Sequence, residues 1–286
     1  MAQIKIIDNL TLDSRYHGKK ILADIRYQAD GMLKPVALYI HGFKAFKDWG
    51  INNVMADYFA RHGFVYVKIS LSHNGTNLQN PKDFVDLDAF ALNNFSIELD
   101  DTGMLIDYLF SSNSPLLSKE MELNKFFLIG HSRGGGIAIL KAHEDSRIKA
   151  LATWAAVSNW KWSWDEETLK KWQEEGVQWI YNSRTKQNMP LNYQIVEDLA
   201  ENQKRLNIEN AAKELNIPFL LIHGTDDETV PFQAGEDLKT WNPSAQLLPI
   251  EGATHTFGGK HPFSDRELPL PAQQVAKATI EFFKSL

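Results

Sequence analysis

Ser132 stands at the centre of Gly130-His131-Ser132-Arg133-Gly134. The apolar run Lys125-Phe126-Phe127-Leu128-Ile129 precedes it. The helix-like Gly135-Gly136-Ile137-Ala138-Ile139-Leu140-Lys141 follows it. A strand, a sharp turn and a helix with serine at the apex have the form of a nucleophile elbow. The glycines have a steric reason. The apex backbone is strained, and strand and helix close tightly around it, so a Cβ at position 130 or 134 would collide. A serine hydroxyl is a weak nucleophile until a base takes its proton and a carboxylate orients that base. Two downstream loops offer these groups. Ile217-Pro218-Phe219-Leu220-Leu221-Ile222 reads as a buried strand and ends in His223-Gly224-Thr225-Asp226-Asp227-Glu228-Thr229-Val230-Pro231. Gln246-Leu247-Leu248-Pro249-Ile250 reads as another short strand and runs into Glu251-Gly252-Ala253-Thr254-His255-Thr256-Phe257. The order is nucleophile, acid, histidine, and the chemistry it suits is acyl transfer.

With His41-Gly42-Phe43 after the early strand Val36–Ile40, these motifs make the chain similar to the α/β-hydrolase superfamily. It resembles the serine esterase and dienelactone-hydrolase-like group, from about Pro35 to the C-terminal helix. The resemblance implies an α/β fold: a mostly parallel, doubly wound sheet with helices on both faces and a helical cap insertion. It implies that Ser132 attacks an acyl carbonyl and that His255 takes the proton and returns it to the leaving alcohol. A carboxylate would orient His255. The family spacing selects Asp227, with two residues after His-Gly and two more before Val-Pro; its neighbour Asp226 is the alternative. The implied oxyanion hole uses the backbone N–H groups of Arg133 and Phe43. Dienelactone hydrolase itself uses a cysteine nucleophile. This chain has no cysteine, so that activity is not implied.

The remaining histidines read differently. His41 and His223 each close a strand before a glycine and are expected to be packed loop residues. His131 is expected to point away from the oxyanion. His73 is a candidate for the pocket mouth. His17, His62, His143 and His261 show no partner signal. No histidine pair has the spacing of His-Glu-x-x-His, so no metal is expected. Gly-x-Gly-x-x-Gly is absent as well, so no cofactor is expected.

Strand and helix patterns alternate through most of the chain, which argues a parallel sheet. Residues 3 to 28 read as two strands with a turn at Tyr16-His17-Gly18. The alternation breaks between about Val157 and Ala212. The expected division is a core of 1–156 and 213–286 with a cap of 157–212. The cap reads as helices around Glu166 to Ser183 and Tyr193 to Leu206, with no strand signal. Six of the eight tryptophans fall between positions 154 and 179. Trp160, Trp162 and Trp164 are candidates for the substrate pocket. Trp172 and Trp179, seven apart, are expected to share a helical face and pack. Arg184, Lys186, Lys44 and Lys47 read as solvated charge, with contact to an acidic group on the substrate as the alternative, and the group Asp83, Asp86 and Asp88 reads as solvated loop.

With 286 residues and 43% apolar side chains the chain can bury a sizeable core. Its net charge is −6, without a basic run interleaved with aromatics, so no nucleic-acid partner is expected. No apolar run is long enough for a membrane span, and the first residues lack a signal-peptide core. A cytoplasmic location is the expectation, and the sequence leaves the oligomeric state undetermined.

The expected partner is a small-molecule ester and the expected activity that of a serine carboxylesterase, with aryl (feruloyl-type) or short-acyl esters as candidates. The enzymatic alternatives are an acyl-peptidase-like peptidase or amidase, a thioesterase and a lactonase. The non-enzyme alternative is a ligand-binding protein on a hydrolase scaffold.

Overall fold

The computed structural model describes residues 3–116, 119–160 and 164–286. β1 (Ile4–Asp13) and β2 (Lys20–Gln28) form an antiparallel pair. His17 and Gly18 both take positive φ in the turn between them. β3 (Lys34–Ile40), α1 (Asn52–Arg61) and β4 (Val65–Ser70) make the first parallel crossover. The short α2 (Leu87–Ala91) and the long α3 (Phe95–Phe110) lead to β5 (Met121–His131). Next come α4 (Arg133–Glu144) and β6 (Ala150–Trp154). After an intervening segment, β9 (Phe219–Gly224), α8 (Gln233–Trp241), β10 (Gln246–Ile250) and α9 (Leu270–Lys284) complete the chain.

Eight strands form one sheet in the order β1-β2-β4-β3-β5-β6-β9-β10. From β4 to β10 every neighbour pair is parallel, while β2 runs against both β1 and β4. Along β3, Val36, Leu38 and Ile40 pack into one core, and Ala37 and Tyr39 into the other. β5 repeats the alternation with Phe126 and Leu128 against Phe127 and Ile129. α3 and α4 supply Leu99, Leu105 and Ile137 to the first core; α1 and α9 supply Phe59 and Phe283 to the second. A strand covered on both faces becomes an unbroken apolar run. That is why the central strands are visible in the sequence.

The segment between β6 and β9 differs from expectation. It holds α5 (Glu166–Glu175), β7 (Val177–Asn182), β8 (Gln187–Asn192), α6 (Gln194–Glu201) and α7 (Ile208–Glu214). β7 and β8 form an antiparallel hairpin where a continuous helix was expected. The cause is Gly176, which takes φ 72° and donates its N–H to Trp172 O, closing α5 with a left-handed residue. Beyond it the side chains alternate. Gln178 and Ile180 face a cavity, while Trp179 and Tyr181 are 60% and 58% exposed. Trp179 is therefore no packing residue. Trp172 is buried and donates Nε1–H to Leu191 O at 2.8 Å.

Among the described residues, no helix is long and apolar enough to cross a membrane.

Candidate active site

The residues singled out for chemistry all follow the C-terminal ends of parallel strands. His41 follows β3, Ser132 follows β5, Asp227 lies three residues past β9 and His255 five past β10. Parallel strands bring these ends to one edge of the sheet, where open α/β sheets bind their ligands.

Ser132 has φ 56° and ψ −123°. A non-glycine residue there stores about 1–3 kcal/mol of strain, which the surroundings must hold. They do so through three bonds: Ser132 N donates to Trp154 O at 3.0 Å, and Ser132 O accepts from Gly135 N at 2.9 Å and Val157 N at 3.3 Å. A Cβ on Gly130 would sit 2.3 Å from Gly134 O, and one on Gly134 2.4 Å from His41 O. Both glycines are therefore steric necessities. Arg133 opens α4, so its N–H has no intrahelical partner and lies at the positive end of the helix dipole.

Asp227 is buried, whereas Asp226 and Glu228 are exposed. Its Oδ1 accepts from Thr229 N at 2.8 Å and Val230 N at 2.9 Å. Its Oδ2 lies 2.8 Å from His255 Nδ1. Burial pushes the carboxyl pKa up, but bonds from His223 and His255 outweigh it and hold the group well below the ordinary carboxylate range. The carboxylate is therefore ionised, His255 Nδ1 carries a proton toward it, and Nε2 is left to accept. His223 Nε2 also reaches this carboxylate, at 3.4 Å, and donates to Val230 O at 2.8 Å. His223 is buried as the sequence suggested, and it braces the acid loop, which the sequence did not suggest.

His41 is buried, with Nδ1 donating to Gly42 O at 2.8 Å and Nε2 accepting from Leu71 N at 3.3 Å. Burial lowers its pKa to about 4, so the ring is neutral in that tautomer. Fixing the Gly42 carbonyl fixes the Phe43 N–H in the opposite direction, because the peptide is planar and trans. A Cβ on Gly42 would meet Ser132 Cβ at 2.9 Å, so this peptide lies against the serine.

One cavity of about 420 Å³ brings most of these residues together. Phe43, Ser132, Arg133, His255, Trp160 and Trp164 all line it, with Lys44, Phe95, Gln178 and Ile180. Trp160 stacks on Phe95 at a ring separation of 4.2 Å and anchors its Nε1–H on Leu206 O at 2.7 Å. Trp164 stands edge-on to Trp172 at 5.4 Å. Trp162 lies outside the described residues. His73 does not line this cavity. It is fully buried elsewhere, 2.6 Å from Ser72 Oγ and 2.9 Å from His17 Nδ1, and burial lowers its pKa to about 4.

Three expected solvated charges are structural. Lys47 and Lys68 are buried with Asp24 and Asp48 in a four-charge cluster. Lys47 Nζ is 2.8 Å from Asp24 and 2.5 Å from Asp48; Lys68 Nζ is 2.8 Å from Asp24 and also bonds Asp48. Lys47 N donates to Ser70 Oγ at 2.9 Å, tying the loop after β3 to the end of β4. Asp86 caps α2 through Ala89 N and pairs with Lys19 at 2.7 Å. The Arg184 guanidinium lies over Phe84 and Phe46, at 5.4 and 5.8 Å. Lys186, Asp83 and Asp88 are exposed as expected. Among the described residues no group of three or more His, Cys, Asp or Glu is placed to hold a metal ion.

This sheet order, with its sharp turn at the C-terminal end of β5, is that of the α/β-hydrolase fold. The sequence from residue 53 to residue 259 matches the prolyl oligopeptidase family model, and the chain belongs to that family. No curated protein matches the sequence. Among solved structures it is similar to the esterase Est1E from Butyrivibrio proteoclasticus, at 17% identity and TM-score 0.68, covering 98% of each chain. The same protein with ferulic acid bound superposes at TM-score 0.70 and 18% identity, over 96% of this chain and 98% of that one. A dienelactone hydrolase from Anabaena variabilis matches at 18% identity and TM-score 0.64, over 99% and 98% of the chains. The protein is a hydrolase of this fold.

Proposed function

We propose that this hydrolase cleaves a carboxylic ester through an acyl-enzyme formed on Ser132. The observation that carries the reading is the Asp227–His255 pair at 2.8 Å, its carboxylate buried and ionised, opening on the cavity that the strained Ser132 lines. Asp227 orients the Nδ1–H tautomer and stabilises the imidazolium. His255 Nε2 takes the Ser132 proton as Oγ attacks the ester carbon, then gives it to the leaving alcohol. The Phe43 and Arg133 N–H groups receive the oxyanion. Water, deprotonated by His255, then releases the acid and regenerates the serine. No step uses a cofactor.

Residues 157–212 act as the cap over this cavity. Trp160 and Trp164, with Phe95, form an aromatic wall that suits an aryl acid or a short acyl chain. The family match favours a second reading, cleavage of a peptide or amide by the same residues. The test is hydrolysis of p-nitrophenyl esters from acetate to long acyl chains, plus a feruloyl ester and an aminoacyl anilide, by wild type and Ser132→Ala. Ester turnover abolished in Ser132→Ala supports the first reading. Anilide cleavage without ester cleavage moves the assignment to the second.

A further inference from the structure

None of the described residues lining the catalytic cavity is acidic, and two are cations, Lys44 and Arg133. Arg133 is already balanced. Its guanidinium is 3.2 Å from the Glu98 carboxylate and lies over the rings of Phe43 and Phe95, at 4.0 and 5.1 Å. Lys44 is not balanced. No carboxylate among the described residues lies within ion-pair distance of its amine, which stands 6.0 Å from the centre of the Phe43 ring. The buried lysines of this protein behave otherwise: Lys34, Lys47, Lys68 and Lys141 each meet a carboxylate.

Lys44 is partly withdrawn from water, and burial alone lowers its pKa. A cation without a partner in such a place costs free energy. Its backbone adds to that cost, with φ 55° at a non-glycine residue, directly after the Phe43 peptide. Strain and an unpaired charge together, beside the serine, mark a position kept for a ligand. The rest of the cavity wall fixes the body of that ligand. Phe95, Trp160, Trp164, Ile180 and Leu191 offer apolar surface.

We propose that the cavity selects esters carrying a second, free carboxylate on an apolar body, and that Lys44 is the specificity residue that pairs with it. This rests on the serine-hydrolase reading for the reaction but not for the binding. A charge-assisted hydrogen bond in a partly dehydrated site changes recognition by about 10- to 100-fold.

The experiment compares the p-nitrophenyl monoester of glutaric acid with its neutral counterpart, p-nitrophenyl pentanoate. The readout is the ratio of their kcat/KM values in wild type, Lys44→Met and Lys44→Arg. The expected result is a ratio that falls about tenfold or more in Lys44→Met, survives in Lys44→Arg and declines with added salt. An equal ratio in wild type and Lys44→Met overturns the proposal while leaving the Ser132 mechanism standing. If neither ester is turned over, the decision passes to binding of benzoate against benzamide, followed by tryptophan fluorescence. Preference for benzoate that Lys44→Met removes sustains the anion site after the esterase reading has failed. No such preference overturns both.

Discussion

His131 Nε2 donates a hydrogen bond to the main-chain oxygen of His255 across 2.9 Å. The two rings also lie 4.8 Å apart. The residue before the candidate nucleophile thus holds the loop that carries the candidate base. Burial lowers the His131 pKa to about 3, so the ring stays neutral and its Nε2–H remains on the carbonyl at every working pH. His131 is absent from the lining of the cavity that holds Ser132, and its bond to the His255 carbonyl places it to position that residue.

Replacing His131 with Leu keeps apolar volume and leaves the His255 carbonyl unpaired. We expect kcat to fall by about tenfold, equivalent to one lost buried hydrogen bond, with KM little changed. Steady-state kinetics on a p-nitrophenyl ester check this. An unchanged kcat in a folded variant removes His131 from the positioning role.

The two adjacent aspartates separate cleanly. Asp227→Asn presents an amide where His255 needs an acceptor, and kcat should fall by on the order of 10⁴. Asp226→Asn touches an exposed side chain and should leave kcat within about twofold. The same pair has a stability signature. The folded pKa of Asp227 is depressed, so its stabilisation is complete above the ordinary carboxylate pKa of about 4 and is lost as pH falls through the lower folded value. The stability gap between wild type and Asp227→Asn should therefore be constant from pH 7 to about pH 4 and begin to narrow below it, as measured by urea unfolding from pH 7 to pH 3.

Asp101 carries the opposite sign. Burial raises its pKa to about 6, against hydrogen bonds from Ser72 and Ser14. A raised acid favours the protonated folded state, so this group removes stability as pH rises from about 4 through 6. Asp101→Asn keeps an acceptor for Ser72 N and carries no charge. It should gain on the order of 2 kcal/mol relative to wild type between pH 4 and pH 7. A gap independent of pH contradicts the assignment.

The parts legible in the sequence are those set by local pattern. Gly130-His131-Ser132-Arg133-Gly134 states its own turn. The central strands, apolar on both faces, state their burial. The hairpin was legible in principle, because Gly176 marks the end of α5 and Gln178, Trp179, Ile180 and Tyr181 alternate thereafter. The helical spacing of Trp172 and Trp179 concealed it. Lys47 was not legible. Its burial depends on Asp24 and Lys68, each more than 20 residues away and brought in only by strand order. His73 failed for the same reason, since its partner His17 comes from the β1–β2 turn.

The four-charge cluster gives a further test. Lys47→Met removes one cation and leaves Asp24 and Asp48 sharing Lys68. Breaking a buried pair in this way costs about 3–5 kcal/mol. Thermal and urea unfolding should show it. Because the Lys47 side chain also ties the loop bearing Phe43 to Asp24 on β2, kcat should fall with stability, even at a temperature where the variant is fully folded.

Activation of Ser132 as a nucleophile has a direct chemical signature. Its most direct measurement is intact-mass and peptide-mapping analysis after treatment with a fluorophosphonate. One covalent adduct per chain is expected, on the peptide containing Ser132. Ser132→Ala should form no adduct, and labelling should slow strongly in Asp227→Asn. An unlabelled wild-type protein that is folded, or an adduct that persists in Ser132→Ala, contradicts nucleophilic activation of Ser132.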